Sequence, residues 1–246
     1  MLTYQQALMA IVETVKPLAP VTVPLDEGHG KILAEDVFSA RVLPPADNSA
    51  MDGYAFASAG ATGQSGLREV GFVPAGTAFA ARVAAGEAVR IMTGAPLPAG
   101  CDTVIPFENV EAGGDGRILL RKPVPHGANV RYRGEELQHG EKVLAAGTLL
   151  SSGAIGLLAA AGIARLQVYP APRVAILSTG DELCELEDPR QNGRIINSNA
   201  HLLGARLSED GFSVEHLGIA RDQPGELETT LRRGLAADLL LSTGGV

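Results

Sequence analysis

The chain has 246 residues, 46% hydrophobic and 20% charged, with a formal net charge of −8. That balance argues against a disordered chain, and the acidity argues against nucleic-acid or anionic-membrane partners, which need a clustered basic face. At this length two or three folding units are expected.

Thirty glycines and 15 prolines against no tryptophan favour tight loops held around a small molecule over an aromatic-rich protein interface. The cysteines, Cys101 and Cys184, belong to no CxxC pair, so neither a disulfide framework nor a zinc knuckle is indicated and a cytoplasmic location is expected. "MLTYQQALMA" lacks a basic leader, and "GAIGLLAAAGIA" is too short and glycine-broken to span a bilayer.

From Tyr4 the apolar residues Tyr4, Ala7, Leu8, Ile11, Val12 and Val15 recur at helical spacing, with Thr3 and Gln6 as a capping box and Pro17 as the stop. "HGKILAED" predicts a weaker helical turn leading into strand-like "DVFSARV". Between Ser39 and Gly134 the helical period is lost. Short β-type runs, "EAVRIM", "DTVIPF" and "RILLRK", alternate there with glycine and proline turns.

"SSGAIGLLAAAG" restores a helix from about Ser152, with Gly162 as its stop. Its apolar face is expected to pack on the first helix, making the β-rich segment an insertion in one helical unit. From Arg173, "RVAILS", "NAHLLGARLSED" ended by Gly211, "FSVEHLGIA", "PGELETTLRRGLA" opened by Pro224, and "DLLLS" alternate strand with helix, as a parallel sheet requires. The predicted fold is multidomain α/β: a helical unit (1–38 with 135–169), a β-rich inserted domain (39–134) and an incomplete doubly wound α/β domain (170–246). A three-strand parallel sheet ending beside a glycine pair leaves apolar surface uncovered, so a truncated chain is expected.

Open parallel sheets bind ligands outside the carboxyl ends of their strands. Those ends carry "STGDEL", "ARDQP" and "STGGV", with the acids Asp181, Glu182 and Asp222. In "STGDEL", Ser178, Thr179 and Gly180 read as phosphate- or pterin-binding and Glu182 as a metal ligand; the alternative is an ordinary loop in which Asp181 caps the next turn. "STGGV" offers Ser242, Gly244 and Gly245 in the same way, although a glycine pair is a weak signal.

"PPADNSAMDGYA" sets Asp47 and Asp52 among turn-forming residues, and "IMTGAPLPAGCD" adds the Thr93 hydroxyl and the Gly94 amide, suited to an oxyanion or to a plain β-turn. "NVRYRGEE" puts Arg131 and Arg133 beside Glu135 and Glu136, an anion clamp or a surface ion-pair cluster. The five histidines lack ligand spacing. No Ser/His/Asp or Cys/His arrangement and no GxGxxG after the first strand supports a hydrolase or a dinucleotide dehydrogenase.

In their order and spacing, "PPADNSAMDGYA", "RIMTGAPLPAGCDTVIPFENV", "GANVRYRGEE", "AILSTGDEL", "GIARDQP" and "LLLSTGGV" resemble the molybdopterin molybdenumtransferase (MoeA-type) family of molybdenum cofactor synthesis. The resemblance runs across essentially the whole chain. It implies an elongated homodimer whose helical unit serves dimerisation, a molybdopterin-binding α/β domain at 170–246, and a final β domain outside this sequence.

Such proteins insert molybdate into adenylylated molybdopterin and release AMP, with Mg2+ as cofactor and the molybdopterin adenylyltransferase as upstream partner. The family's catalytic positions fall on Asp52, Thr93, Glu182 and Asp222, with Asp52, Glu182 and Asp222 as metal ligands. Gly94, Arg131, Ser178, Thr179, Gly180, Asp181, Ser242, Gly244 and Gly245 complete the implied ligand-binding set. A hard cation on the carboxylates would reverse the repulsion that two anionic substrates otherwise meet. The loop would then present Asp52 toward the α/β domain of the other subunit.

One departure is that the family's usual "GED" is "GEE" here, at Glu136. Two other readings stand beside this one: a gephyrin-like scaffold that anchors receptor peptides in an apolar groove, and a tungstate-specific relative.

Overall fold

Thr3 caps the first helix, α1 (Tyr4–Thr14), as its sequence predicts: its Oγ1 accepts from Gln6 N–H at 3.3 Å, and Gln6 Oε1 accepts from Thr3 N–H at 3.0 Å. These coordinates are a computed structural model, which describes residues 2–59, 61, 66–113, 116–188 and 193–244. The helix stops at Val15, two residues before Pro17.

The stripe of apolar residues on α1 is not packed. The helix buries no side chain and Ile11 is 60% exposed, whereas Leu158 of α2 (Ser152–Ala160) is fully buried. Among the described residues nothing buries the apolar face of α1, so the exposure of Ile11 counts against the expected packing of that face. Helix α2 itself ends as predicted, with Gly162 at φ +83°, its N–H bonded to Ala159 O and Ile163 N–H to Leu158 O. Those two bonds are the Schellman pattern that a left-handed glycine permits.

"HGKILAED" also differs from expectation. Ile32–Leu33 is a strand paired antiparallel with Tyr169 and Val168. Gly30 sits at φ +75°, which interrupts a helix, and long-range pairing then outweighs local propensity.

The chain divides into two units, Met1–Glu35 with Ala145–Ile155 and Arg165–Val246, and Asp36–Leu144 with Gly156–Ala164. The first holds an antiparallel sheet in the order Val21–Pro24, Arg165–Tyr169, Ile32–Leu33. It also holds the parallel sheet predicted from the strand and helix alternation, in which Arg173–Thr179 lies between Ser213–Ala220 and Leu239–Thr243. Val174 to Ser178 are buried without a break, the pattern of a strand covered on both faces. Helices α3 (Ser198–Glu209) and α4 (Pro224–Gly234) make the crossovers, α3 ending at Gly211 and α4 opening on Pro224.

The second unit is a six-stranded mixed sheet in the order Thr103–Pro106, Gly53–Phe56, Glu87–Ile91, Leu67–Val73, Arg117–Leu120, Val110–Ala112. Side chains alternate along a strand, so Ala55, Val89 and Val104 join Val73 and Ile91 in one core. Their neighbours Phe56, Ala88 and Ile105 join Leu67, Ile118 and Leu120 in another. Both faces of this sheet are apolar, which holds its connecting loops against a firm base.

Candidate functional site

In the β-rich unit, backbone pairing brings two distant loops together. Ser49 N–H donates to Ala95 O at 3.0 Å, Gly94 N–H to Ser49 O at 2.8 Å, and Leu97 N–H to Asp47 O at 2.8 Å. Ser49 is fully buried and its hydroxyl donates to Met51 O at 2.5 Å, tightening the turn before Asp52. Gly53 must follow, because a Cβ there would lie 2.0 Å from Ile105 O.

The result sets Asp52 against Thr93. The Thr93 N–H and hydroxyl both donate to Asp52 Oδ1, each at 2.7 Å. The backbone N–H, and after it the hydroxyl, holds the Asp52 carboxyl below its ordinary range. Two of the residues singled out from the sequence thus meet across 41 positions.

The donors of "MTGA" are already engaged: Thr93 serves Asp52, and Gly94, at φ +78°, gives its N–H to Ser49. Arg131 Nη1 pairs with Glu136 Oε1 at 3.2 Å on the surface, and Asp47 Oδ1 accepts from Arg133 N–H at 2.8 Å.

In the parallel-sheet unit the carboxyl edge is tied from inside. Ser178, fully buried, donates to Asn197 Oδ1 at 2.9 Å and lies 2.9 Å from Thr243 Oγ1. Asn197 is the N-cap of α3 yet makes no capping bond with its side chain, which is only 4% exposed and is turned to Ser178 instead. Gly180 adopts φ +139° with the Glu182 carboxylate folded so close that a Cβ would stand 2.5 Å from it. A cavity of roughly 160 Å³ lies at this edge, lined by Thr179, Glu182, Asn197, Ser198, Thr243 and Gly244 among others. Asp222 N–H donates to Asp181 Oδ1 at 3.4 Å, which brings the "ARDQP" and "STGDEL" loops side by side.

Ser242 is exposed and Thr243 is the residue joined to Ser178. Gly245 lies outside the described residues. Asn197 and Thr243 stand outside the residues expected from the sequence, because "IINSNA" ahead of a helix reads only as a cap and "STGGV" does not distinguish Thr243 from Ser242.

The donor chemistry of Asp52, Glu182 and Asp222 suits a hard cation, but among the described residues no group of three or more His, Cys, Asp or Glu is placed to hold one metal ion. No helix among the described residues is long and apolar enough to cross a membrane.

A mixed α/β protein with a curled β-rich unit and a loop-bearing parallel sheet is the class these features define. Comparison with known proteins narrows it. The family described as MoeA N-terminal region (domain I and II) matches residues 2–162, and the probable molybdopterin binding domain matches residues 175–246.

The chain is 36% identical over 252 residues to the molybdopterin molybdenumtransferase 2 of Mycobacterium tuberculosis, covering 100% of this chain and 62% of that protein. It is 39% identical over 230 residues to the molybdopterin molybdenumtransferase of Nostoc sp., covering 91% of this chain and 52% of that one. The crystal structure of the molybdopterin biosynthesis moeA protein from Pyrococcus horikoshii OT3 matches 100% of this chain and 67% of its own, with a TM-score of 0.91 at 30% identity. The chain belongs to the MoeA family, and it spans less than two thirds of the length of these curated relatives.

Proposed function

We propose that the protein acts in molybdenum cofactor biosynthesis as a molybdopterin molybdenumtransferase, inserting molybdate into adenylylated molybdopterin with release of AMP. The observation that carries this reading is the network at the carboxyl edge of the parallel sheet, where Ser178, Asn197 and Thr243 fix three chain segments around a small cavity lined by both polar and apolar side chains. Hydroxyl and amide donors held in place suit phosphate oxygens and need no rearrangement when the ligand arrives.

In this reading Thr179 and Ser198, which line the cavity, bind the adenylyl phosphate, and Glu182 and Asp222 act beside it. Asp52, kept ionised by Thr93, is an acceptor for a protonated or cationic group in the reaction. Magnesium, a homodimer, an upstream adenylyltransferase and a cytoplasmic location belong to the same reading.

The test is molybdate-dependent AMP release by the full-length protein. Asp52→Asn is expected to leave folding intact and to depress turnover, and unaltered turnover would remove Asp52 from the mechanism. Tungstate replacing molybdate at higher efficiency would identify the tungstate-specific variant of the same chemistry.

A peptide scaffold has one observation in its favour, an apolar groove of roughly 650 Å³ lined by Val15, Pro17, Leu18, Ile32, Tyr169 and Pro170 among others. Calorimetric titration with receptor-type peptides is expected to give no heat; measurable binding there would favour the scaffold.

A further inference from the structure

The "ARDQP" loop contributes a side chain whose use the motif does not reveal. Arg221 Nη1 lies 3.3, 3.1 and 3.0 Å from the carbonyl oxygens of Gly180, Asp181 and Leu183. One guanidinium nitrogen therefore gathers three carbonyls of the "STGDEL" loop. Its own backbone is anchored as well, since Arg221 N–H donates to Glu226 Oε1, in the first turn of α4, at 3.2 Å.

Hydrogen bonds from a charged donor are roughly twice as strong as neutral ones, so this contact is a firm brace beside the loop's neutral ties, Gly180 N–H to Ala220 O and Ile195 N–H to Glu182 O. It also decides which way the loop's remaining polar groups face. Across a planar trans peptide, the carbonyl and the following N–H point in opposite directions. Turning the carbonyls of Gly180 and Asp181 onto Arg221 turns the N–H groups of Asp181 and Glu182 away from it. Neither N–H donates to an acceptor among the described residues. Consecutive unpaired N–H groups of this kind are the elements of an anion-binding nest.

We propose that Arg221 is a positioning residue: by collecting three carbonyls it holds the N–H groups of Asp181 and Glu182 outward as donors to a phosphoryl oxygen of the ligand. The inference rests on the adenylyl-substrate reading given above. Arg221 touches the loop, while the loop touches the ligand. A lysine ammonium, with three donors, can replace part of the brace, and an apolar side chain of similar length cannot.

The experiment compares the unaltered protein, Arg221→Lys and Arg221→Met by amide hydrogen exchange and by calorimetric titration with AMP. In Arg221→Met, exchange at Leu183 and Ile195, whose N–H groups are bonded to Gly180 O and Glu182 O, is expected to accelerate by about tenfold or more while strand Arg173–Thr179 stays protected, as local loosening without unfolding requires. AMP affinity is expected to fall by about tenfold, and Arg221→Lys is expected to recover part of both effects.

Unchanged loop exchange in Arg221→Met, or accelerated exchange with AMP affinity equal to that of the unaltered protein, would overturn the proposal. Failure of the unaltered protein to bind AMP would instead overturn the functional reading on which the proposal rests.

Discussion

In the β-rich unit, Asp52 meets Thr93 through one carboxylate oxygen at an exposed loop end; in the parallel-sheet unit, Ser178 meets Asn197 and Thr243 in the interior. The first junction lies on a sheet whose two apolar cores set its loops, and its side chains add little to the fold. In the second, the polar groups themselves join the chain segments. Substitutions should therefore separate binding from folding at Asp52 and couple them at Ser178.

The largest expected effect falls on the base of the first junction. Gly53→Ala forces a Cβ to within 2.0 Å of Ile105 O in a paired strand, and overpacking of this kind costs about 3 kcal/mol or more when backbone must move. Urea unfolding measures it; a cost below about 1 kcal/mol would show that the sheet yields more easily than its packing implies.

Ser178→Ala comes next. It removes the donor to Asn197 Oδ1 in a buried setting, for which about 1–3 kcal/mol is expected from the same unfolding measurement. A neutral result would mean that another donor reaches Asn197.

At Asp52 the effect is on titration. The Thr93 N–H and hydroxyl both favour the carboxylate, so the folded pKa lies below the unfolded one. The stabilisation is fully present above the unfolded value and is lost as pH falls through the lower folded value. The Thr93 amide signal should accordingly titrate with a midpoint below the ordinary aspartate range. Thr93→Ala should raise the Asp52 midpoint only part of the way, because the backbone donor remains.

The smallest effect concerns Cys101, whose thiol is pushed up to about 12 by burial and, after it, by Asp102. Alkylation at pH 8 should run about a hundredfold or more slower than for an ordinary thiol, and fast labelling would show the site open to water.

The more legible parts of the fold in the sequence were those governed by local chemistry. Thr3 and Gln6, Gly162, Gly211 and Pro224 each mark a helix end by a rule that operates within one turn, and the run Val174–Ser178 declares a buried strand by its composition. Pairing across the chain was less legible. Ile32 and Leu33 join a strand more than 130 positions away, and no local pattern announces that.

The apolar stripe of α1 gave its helix but not its partner, since amphipathicity shows that a face seeks cover without naming what covers it. At the candidate site, Asp52 and Thr93 were visible as motif residues, although their shared hydrogen bonds depend on the Ser49 pairing. Asn197 and Arg221 act through bonds to segments distant in sequence, so their residue types alone read as a cap and a surface charge.

The most direct measurement is a backbone chemical-shift map of the protein titrated with AMP. The account predicts shifts clustered at Thr179, Asp181, Glu182, Ser198 and Thr243, with Asp52 and Thr93 unmoved by AMP alone. Shifts centred on Asp52 and Thr93, or none at the strand ends, would contradict the assignment of the adenylyl site to the carboxyl edge of the parallel sheet.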